Sequence, residues 1–173
     1  MELLKDLGQE LNFIVHGLSS LALDGEVVSS TRIREAIRSG NLNAASQMLG
    51  RSYSLAGNVT AGDRIGRELG FPTANLDCAG LLLPPNGVYV AHARVAGRLQ
   101  RAVVNIGLRP TLASPMPQLQ VEAHLLDFKG DLYSEELELI FEEKLRDERK
   151  FSSREELMAQ IVRDVAEARH ILS

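Results

Sequence analysis

The chain has 173 residues, of which 45% are apolar and 24% are charged, and its formal net charge at pH 7 is −4. These proportions are typical of one globular domain with a small appendage, and they exclude a coiled coil, a collagen and a wholly disordered chain. The acidic balance argues against a nucleic-acid partner, and the lack of an apolar run of about 20 residues argues against a membrane partner. Because the single cysteine, Cys78, cannot form an internal disulfide, we expect a cytoplasmic protein.

The first 50 residues are predicted to be helical. Ser29, Ser30 and Thr31 are N-cap candidates for one helix, and Gly40 is suited to ending it. A second short helix is predicted to end at Gly50. Because both helices carry little apolar surface, we expect them to pack on another part of the chain.

From about residue 53 to residue 141 the apolar residues alternate with polar ones, which is the period of a strand. Several short strands joined by glycine-containing turns favour a closed antiparallel barrel over a sandwich. In the last predicted strand, Leu137, Leu139 and Phe141 form an inward row. The predicted strands are 87–95, 99–106, 119–128 and 136–141.

The last stretch is predicted to be one long helix. Ser153 and Glu156 match a capping box, in which each side chain bonds the backbone N–H of the other. A single apolar stripe follows, so one face should pack against the barrel wall. The stripe consists of Leu157, Ile161, Val165, Ala168 and Leu172.

The most unusual segment is the glycine-rich stretch 57–75. Its glycines permit tight turns and a close approach of the backbone to a ligand, and nearby arginines suit phosphate oxygens. It is not a Walker A loop, because Asp63 stands where the lysine belongs. Plain turns are the alternative interpretation. The candidate phosphate-binding residues are Gly57, Gly62, Arg64, Gly66 and Arg67.

The tetrapeptide 72–75 adds a second candidate element. Pro72 stiffens the backbone that presents Thr73 and Asn75. A hydroxyl and an amide carbonyl two residues apart can both offer oxygen to Mg²⁺. The alternative is an Asx or Thr turn, in which the same side chains bond their own backbone.

One carboxylate is a candidate general base. Glu122 lies in the middle of a predicted strand, where a carboxylate either faces solvent or points into a site. The four histidines lack the spacing of a zinc site, and no G-x-S-x-G motif of a serine hydrolase is present. The basic cluster Arg146, Arg149 and Lys150 is either solvated or reaches an anionic ligand.

Five blocks of the chain resemble, in order, the signature of riboflavin kinases. The resemblance implies a mainly β fold, a six-stranded antiparallel Greek-key barrel with a long C-terminal helix and a short helical segment before it. It also implies transfer of the γ-phosphoryl group of ATP to the riboflavin 5′-hydroxyl with Mg²⁺, giving FMN and ADP. The blocks are GRELGFPTAN (66–75), PNGVY (85–89), NIGLRPT (105–111), VEAH (121–124) and LRDERKF (145–151).

The same resemblance assigns roles to residues. It implies that Thr73 and Asn75 bind Mg²⁺ and the ATP phosphates, that the glycine-rich segment with Pro72 covers the nucleotide, and that Glu122 activates the hydroxyl. Candidate contacts to the flavin or to a phosphate are Asn105, Arg109 and Arg146. The rival from another class is a barrel that binds flavin or nucleotide without catalysis, and a weaker rival is an OB-type barrel that binds nucleic acid.

The front end resembles another module. Residues 28–34 (VSSTRIR) are similar to the tail of the FMN adenylyltransferase module of bacterial bifunctional riboflavin kinase/FAD synthetases. The resemblance implies a remnant motif of Ser29, Ser30, Thr31 and Arg34, a helical remnant at 1–50 and a kinase domain at 51–173. We expect an N-terminal adenylyltransferase module in the full-length enzyme and no FAD synthesis by this chain, because its first 28 residues contain no His-x-x-His-type phosphate motif.

Overall fold

The N-terminal segment consists of three short helices and one small hairpin. A computed structural model describes residues 2–17, 19–62, 65–109, 118–133 and 135–173 of the chain. The elements are α1 (Glu2–Glu10), β1 (Ala22–Leu23), β2 (Glu26–Val27), α2 (Ser30–Arg38) and α3 (Leu42–Leu49). The hairpin corrects the prediction of a wholly helical segment. Asp24 and Gly25 have φ values of 54° and 79°, and an Asp-Gly pair with two positive φ values is the preferred two-residue hairpin turn.

The predicted ends of α2 and α3 are confirmed. The Ser29 hydroxyl accepts the N–H of Arg32 at 3.3 Å, and Gly40 and Gly50 follow the helices with φ values of 81° and 69°. Both helices pack on the barrel, as expected. Their buried residues Ile37 and Ala45 belong to the same core cluster as the barrel interior.

Six antiparallel strands form a closed barrel. Their bounds are β3 (Ser54–Thr60), β4 (Ala74–Leu76), β5 (Gly87–Val95), β6 (Arg98–Arg109), β7 (Gln118–Leu125) and β8 (Glu136–Arg146). They lie around the barrel in the order β3-β4-β7-β6-β5-β8. The strands β5, β6 and β7 form a meander, and β4 and β8 reach it by crossing over, which is the Greek-key connection. The predicted barrel class is therefore confirmed.

Three strands end at other residues than predicted. β6 continues three residues beyond Ile106 to Arg109. β8 continues five residues beyond Phe141 to Arg146. β7 ends at Leu125, because Leu126 and Asp127 form a turn in which Asp127 has a φ of 60°. Arg169 donates two hydrogen bonds of 2.7 and 2.8 Å to the Asp127 carboxylate and holds its pKa below the usual range.

The main core fills the barrel. The predicted inward row is confirmed, with Leu137 and Leu139 fully buried and Phe141 4% exposed. The ring of Phe141 contacts Tyr89 and Tyr53 at centroid distances of 5.4 and 5.7 Å. Cys78 packs against this core, and burial raises the pKa of its thiol to about 11, so the thiol is protonated at neutral pH.

Two helices follow α3 in the chain. The first, α4 (Ile65–Glu68), has a single turn, and the long C-terminal helix, α5 (Arg154–Ile171), lies on the outside of the barrel. Its C-terminal half packs on the wall through Ala168 and Leu172, in a second cluster with Val88 and Val103. The predicted apolar stripe is therefore confirmed. The residues of the stripe in the N-terminal half of α5 cover a cleft that is described below. Among the residues that the structure describes, no helix combines the length and the apolar character needed to cross a membrane.

The predicted capping box of α5 is half confirmed. The Ser153 hydroxyl accepts the N–H of Glu156 at 3.2 Å. The Glu156 carboxylate instead accepts the N–H and the hydroxyl of Ser152, at 3.0 and 2.8 Å. Ser152 offers two donors where the backbone of Ser153 would offer one, and these bonds hold the pKa of Glu156 below its usual range.

Candidate functional site

A row of polar side chains crosses the outer wall of the barrel. Asn75 of β4 pairs with Glu122 of β7, and Glu122 pairs with Asn105 of β6. Residues that pair directly in neighbouring strands place their side chains on one face of the sheet. Val121 and Ala123, on either side of Glu122, are buried in the barrel, so the row faces outward. Three polar side chains from three strands therefore meet at one place.

This row borders a cleft of about 380 Å³ between the barrel wall and α5. We call it the larger cleft. Val88 and Val103 form its floor and Leu157 and Ile161 of α5 form its roof, with Glu122 at the polar side. Glu122 is half-buried. The sequence left two alternatives for Glu122, the solvent face or a site. Glu122 lies on the outer face of β7, but α5 covers that face here, so the side chain lines a cleft.

A second cleft, of about 340 Å³, lies on the other side of the segment 71–73. We call it the smaller cleft. Arg67 and Pro72 line it together with Phe128 and Tyr133. Thr73 lines both clefts. A group bound in one cleft can therefore lie beside a group bound in the other.

The glycine-rich segment forms a tight turn between the clefts. The helix α4 ends with Gly70 at a φ of 85°. The N–H of Phe71 bonds the carbonyl of Gly66 at 2.7 Å and the N–H of Gly70 bonds the carbonyl of Arg67 at 3.2 Å. These two bonds are the Schellman pattern of helix ends. A Cβ added at Gly66 would collide with the carbonyl of Phe71, so this glycine is required by close packing beside Thr73.

Gly62 packs directly on the side chain of Asn75. A Cβ added at Gly62 would collide with the Asn75 carboxamide. The buried Oδ1 of Asn75 finds no hydrogen-bond partner among the described residues. Buried acceptors are normally satisfied, so this oxygen is suited to an outside partner such as a hard cation. Within the described ranges no group of three His, Cys, Asp or Glu side chains could hold a metal.

One of the candidate phosphate-binding residues lies away from the clefts. Gly57 is in the middle of β3, paired with Leu137 and packed on the carbonyl of Asp77. Gly57 is not among the described residues that line either cleft. Close packing against backbone, rather than a ligand, accounts for this glycine. Arg64 lies outside the described residues.

The candidate contacts at the end of β8 and in β6 are partly described. Asn105 and Arg146 both line the larger cleft, and Val88 pairs with both of them in the strand ladders. The polar row thus continues to β8. The backbone of Arg109 lies in β6, and its side chain is outside the described part of the chain.

Sequence reasoning missed a contact that ties β7 to the segment 71–73. Nδ1 of His124 lies 2.8 Å from the carbonyl oxygen of Pro72, and since a carbonyl only accepts, Nδ1 carries the proton. The His124 ring meets Phe71 edge-on at 5.6 Å. The available signal was the spacing of Glu122 and His124, which are two residues apart and therefore on one face of a strand.

The basic cluster after β8 surrounds an aromatic ring. The guanidinium groups of Arg146 and Arg149 lie 5.8 and 4.7 Å from the ring centroid of Phe151. Arg146 also donates to the carbonyl of Asp147 at 3.0 Å. A hydrogen bond from Lys144, at 2.6 Å, holds the pKa of the Asp147 carboxyl below its usual range. Arg146, Arg149 and Phe151 all line the larger cleft, so the cluster is more than a solvated surface.

One residue of the N-terminal motif, Ser29, has a role in local structure, and so does the neighbouring Arg32. Ser29 caps α2, and Arg32 donates to the carbonyls of Glu26 and Val27 at 2.8 and 2.9 Å. The remaining members of the motif, Ser30, Thr31 and Arg34, are exposed. All of these residues are described, and none of them lines either cleft.

The fold and the site define a class of protein: a closed six-stranded barrel with two adjoining clefts on its outer wall, which have room for two ligands side by side. The Flavokinase family model, which describes riboflavin kinases, matches residues 49–172. The chain belongs to the riboflavin kinase family.

The curated relatives of the chain are bifunctional proteins. A bifunctional riboflavin kinase/FMN adenylyltransferase from Pseudomonas fluorescens is 40% identical over 97% of this chain and 54% of its own length. The protein of that name from Escherichia coli (strain K12) is 39% identical over 96% of this chain and 53% of its own length. The chain thus spans about half the length of the curated relatives it matches.

One solved structure extends the comparison to the fold. A protein from Streptococcus pneumoniae, named as a macrolide-efflux protein, superposes with a TM-score of 0.80 at 31% identity. The superposition covers 95% of this chain and 54% of that chain. The name concerns another activity. The coverage means that the N-terminal helices and the barrel occur together in that protein as well.

Proposed function

We propose that the chain transfers the γ-phosphoryl group of ATP to the 5′-hydroxyl of riboflavin, giving FMN and ADP. Membership of the riboflavin kinase family supports these substrates. The single structural observation that carries the proposal is the meeting of two clefts at Thr73, one of them bordered by Glu122. A kinase must hold two substrates with their reacting atoms in contact, and two clefts that share a wall residue do this.

The larger cleft is the proposed riboflavin site. Its apolar floor and roof suit a planar ring system, and Phe151 adds an aromatic surface. Asn105 and Arg146 supply polar groups for the ring edge or the ribityl chain, and Arg109 stays a predicted contact. Glu122 is the proposed general base, because it is the carboxylate of the polar row next to Thr73 and Asn75.

The smaller cleft is the proposed ATP site. Arg67 and Pro72 line it, and Gly62 and Gly66 stay predicted phosphate contacts that pack on Asn75 and beside Thr73. Phe128 and Leu132 offer apolar surface for a base. Arg64 stays a predicted phosphate contact. This assignment places the phosphate chain of ATP at Thr73, where the two clefts meet.

Thr73 and Asn75 are the proposed ligands of Mg²⁺. The buried Asn75 Oδ1, without a hydrogen-bond partner among the described residues, supports this assignment. A bound Mg²⁺ would neutralise phosphate charge as the γ-phosphoryl group is transferred. The protein's own contribution is to hold the oxygens in place, since Gly62 packs on the Asn75 carboxamide and His124 bonds the carbonyl before Thr73.

The transfer itself needs little covalent chemistry from the protein. The Glu122 carboxylate accepts the proton of the 5′-hydroxyl as that oxygen attacks the γ-phosphorus, and ADP leaves on the opposite side. The walls of the two clefts fix the line of attack. Catalysis in this proposal comes from positioning and from charge stabilisation at Thr73 and Asn75.

The N-terminal residues 1–50 are the proposed remnant of an FMN adenylyltransferase module, and residues 51–173 are the proposed kinase domain. The family match begins at residue 49, whereas the bifunctional relatives align over 97% of the chain. The N-terminal segment also exposes large apolar side chains, among them Leu3, Ile14 and Leu21, which are 68–83% exposed. Such a surface fits a partner module. The lone cysteine supports a cytoplasmic location for the enzyme.

The test of the proposal is direct. The purified chain is mixed with riboflavin, ATP and MgCl₂, and FMN is separated from riboflavin by chromatography. FMN formation that stops when EDTA removes the metal supports the proposal. Tight binding of riboflavin or ATP with no FMN would favour the rival, a barrel that binds without catalysis.

A further inference from the structure

One charged side chain, that of Asp164, is buried in the wall of the larger cleft, beside its ion-pair partner Arg146. Asp164 lies in α5 and is 6% exposed. Among the described residues it is the only polar or charged one that is buried. A buried carboxylate is costly unless it is paired and hydrogen-bonded. The proposed mechanism gives Asp164 no part in the reaction, so its burial requires another explanation.

The partner of Asp164 is Arg146, in a two-point ion pair. Nε of Arg146 lies 3.0 and 3.1 Å from the two carboxylate oxygens, and Nη2 lies 2.8 Å from Oδ2. Nη1 of the same guanidinium donates to the Asp147 carbonyl at 3.0 Å. The guanidinium is thus held from one side by the helix and from the other side by the strand end. A planar group held on two sides has little freedom to rotate.

A second link extends the network to Arg149. Nε2 of Gln160 donates to Asp164 at 2.7 Å, and Oε1 of Gln160 accepts from Arg149 at 2.8 Å. Gln160 and Asp164 are one helical turn apart, so they form a connected pair on α5. Phe151 contacts both guanidinium groups. The two helix residues therefore fix a wall of the larger cleft that consists of Arg146, Phe151 and Arg149.

We propose that Asp164 is a positioning residue for riboflavin binding, which acts by fixing Arg146, and through Gln160 also Arg149, in the wall of the larger cleft. The inference rests on the proposed function, because riboflavin is the ligand assigned to that cleft. A preformed wall binds better, since no side-chain freedom is lost on binding. Riboflavin is uncharged, so the carboxylate also keeps the wall from facing it with an unpaired cation.

The substitution Asp164→Asn tests the inference, with Asp127→Asn as the matched control. Asp127 also ties α5 to the barrel, through two hydrogen bonds from Arg169, but the lining of both clefts excludes it. We expect Asp164→Asn to raise the KM for riboflavin about tenfold, the scale of a lost hydrogen bond between charged groups. The kcat and the KM for ATP should change by less than about twofold, and Asp127→Asn should leave all three constants unchanged.

A double-mutant cycle shows whether Asp164 acts through Arg146. We expect Asp164→Asn to raise the KM for riboflavin by at most about threefold in the Arg146→Gln background, against about tenfold in the parent chain, because only the link through Gln160 to Arg149 is left to lose. Additive effects would overturn the positioning role. If Asp164→Asn fails to fold, Gln160→Met replaces it, since this change keeps the ion pair of Asp164 with Arg146 and releases Arg149. It also releases Arg163, which donates to Gln160 Oε1 at 3.2 and 2.7 Å but lines neither cleft. An increase of about threefold in the KM for riboflavin is then expected, and an unchanged KM would overturn the inference.

The remaining outcomes separate this inference from the proposed function. An active parent chain with an unchanged KM for riboflavin in Asp164→Asn overturns the inference alone. An equal loss of kcat and of ATP affinity, or the same loss in Asp127→Asn, also overturns it, because that pattern reports helix docking. A parent chain that forms no FMN and quenches no riboflavin fluorescence overturns the proposed function and the inference with it.

Discussion

The inner and the outer face of the barrel wall have opposite compositions, although they are built from the same strands. Along β7, Val121, Ala123 and Leu125 point inward and are at most 5% exposed. Glu122 and His124, which alternate with them, point outward and line the larger cleft. Because side chains alternate along a strand, residues that fill the core and residues that line the larger cleft differ by a single position in the sequence.

The outer face becomes a site because it is covered incompletely. The inner face is filled by apolar side chains and closed at one end by α2 and α3. On the outer face, α5 packs tightly only through its C-terminal half, and its N-terminal half leaves the larger cleft open. The comparison predicts that outer substitutions change activity with little loss of stability, and that inner substitutions do the reverse.

The largest expected effect is on the outer face, at Glu122. Glu122→Gln keeps the shape of the side chain but cannot accept the hydroxyl proton at neutral pH. We expect turnover to fall by about 10²–10⁴-fold, with ATP binding and the thermal midpoint of unfolding retained. Steady-state FMN formation and a thermal melt measure the two quantities. Near-normal turnover would remove Glu122 from the mechanism.

The next effect is on the inner face, at Leu139, which is fully buried in β8. Leu139→Ala removes buried methyl groups and leaves a cavity, so we expect the free energy of unfolding to fall by about 2–5 kcal/mol. Urea unfolding measures this loss. The KM values of the folded fraction should match those of the parent chain. A large change in either KM would show that the two faces are not independent.

Most of the barrel could be predicted from local patterns. The alternation in 87–95 and 136–141, the glycine ends of α2 and α3 and the apolar stripe of α5 each depend on residues near one another in the chain. The hairpin at Asp24 and Gly25 also had a local signal, because an Asp-Gly pair favours a two-residue turn. This signal was missed because the whole segment was interpreted as helical. Local rules therefore sufficed for the type of most elements, but not for this hairpin, and they misplaced the ends of β6, β7 and β8.

The site depended on contacts that no local pattern encodes. The meeting of Asn75, Glu122 and Asn105 requires the register of three strands. The pair of Arg146 and Asp164 joins residues 18 positions apart through the docking of α5. The glycines of the segment 57–75 were predicted as ligand-binding residues, and for Gly57 the structure shows packing against a backbone carbonyl instead. Sequence patterns cannot separate these two uses of glycine, because both require the missing Cβ.

A smaller effect is expected where the two clefts meet. Thr73→Val and Asn75→Leu each replace an oxygen with hydrocarbon of similar size. We expect each to weaken Mg·ATP binding about tenfold, which corresponds to about 1.4 kcal/mol, without loss of the fold. Nucleotide titration by calorimetry, with and without EDTA, measures this. Asn43→Leu, at an exposed position of α3, is the matched control. Titrations equal to the parent's would favour the turn interpretation of residues 72–75.

The smallest expected effect is none, and it concerns the N-terminal motif. We expect the 173-residue chain to convert no FMN to FAD. Adenylyl transfer requires the α-phosphate of ATP to be held between preorganised donors on two sides. Such a site needs a nucleotide-binding βαβ unit. The described part of residues 2–29 contains one helix and one hairpin whose strands are two residues long. Ser29 caps α2 and Ser30, Thr31 and Arg34 are exposed, so the motif could supply donors on one side only.

The assay for this last prediction is incubation with FMN, ATP and Mg²⁺ followed by chromatography for FAD, with a full-length bifunctional relative as the positive control. Because Ile37 and Ala45 extend the inner core, Ala45→Asp should lower the free energy of unfolding, while FMN formation by the folded fraction continues. That result would show that the N-terminal helices, like the inner face of the barrel, stabilise the fold and take no part in FMN formation. Sustained FAD production by the pure chain would instead show that residues 1–50 still carry a second reaction centre.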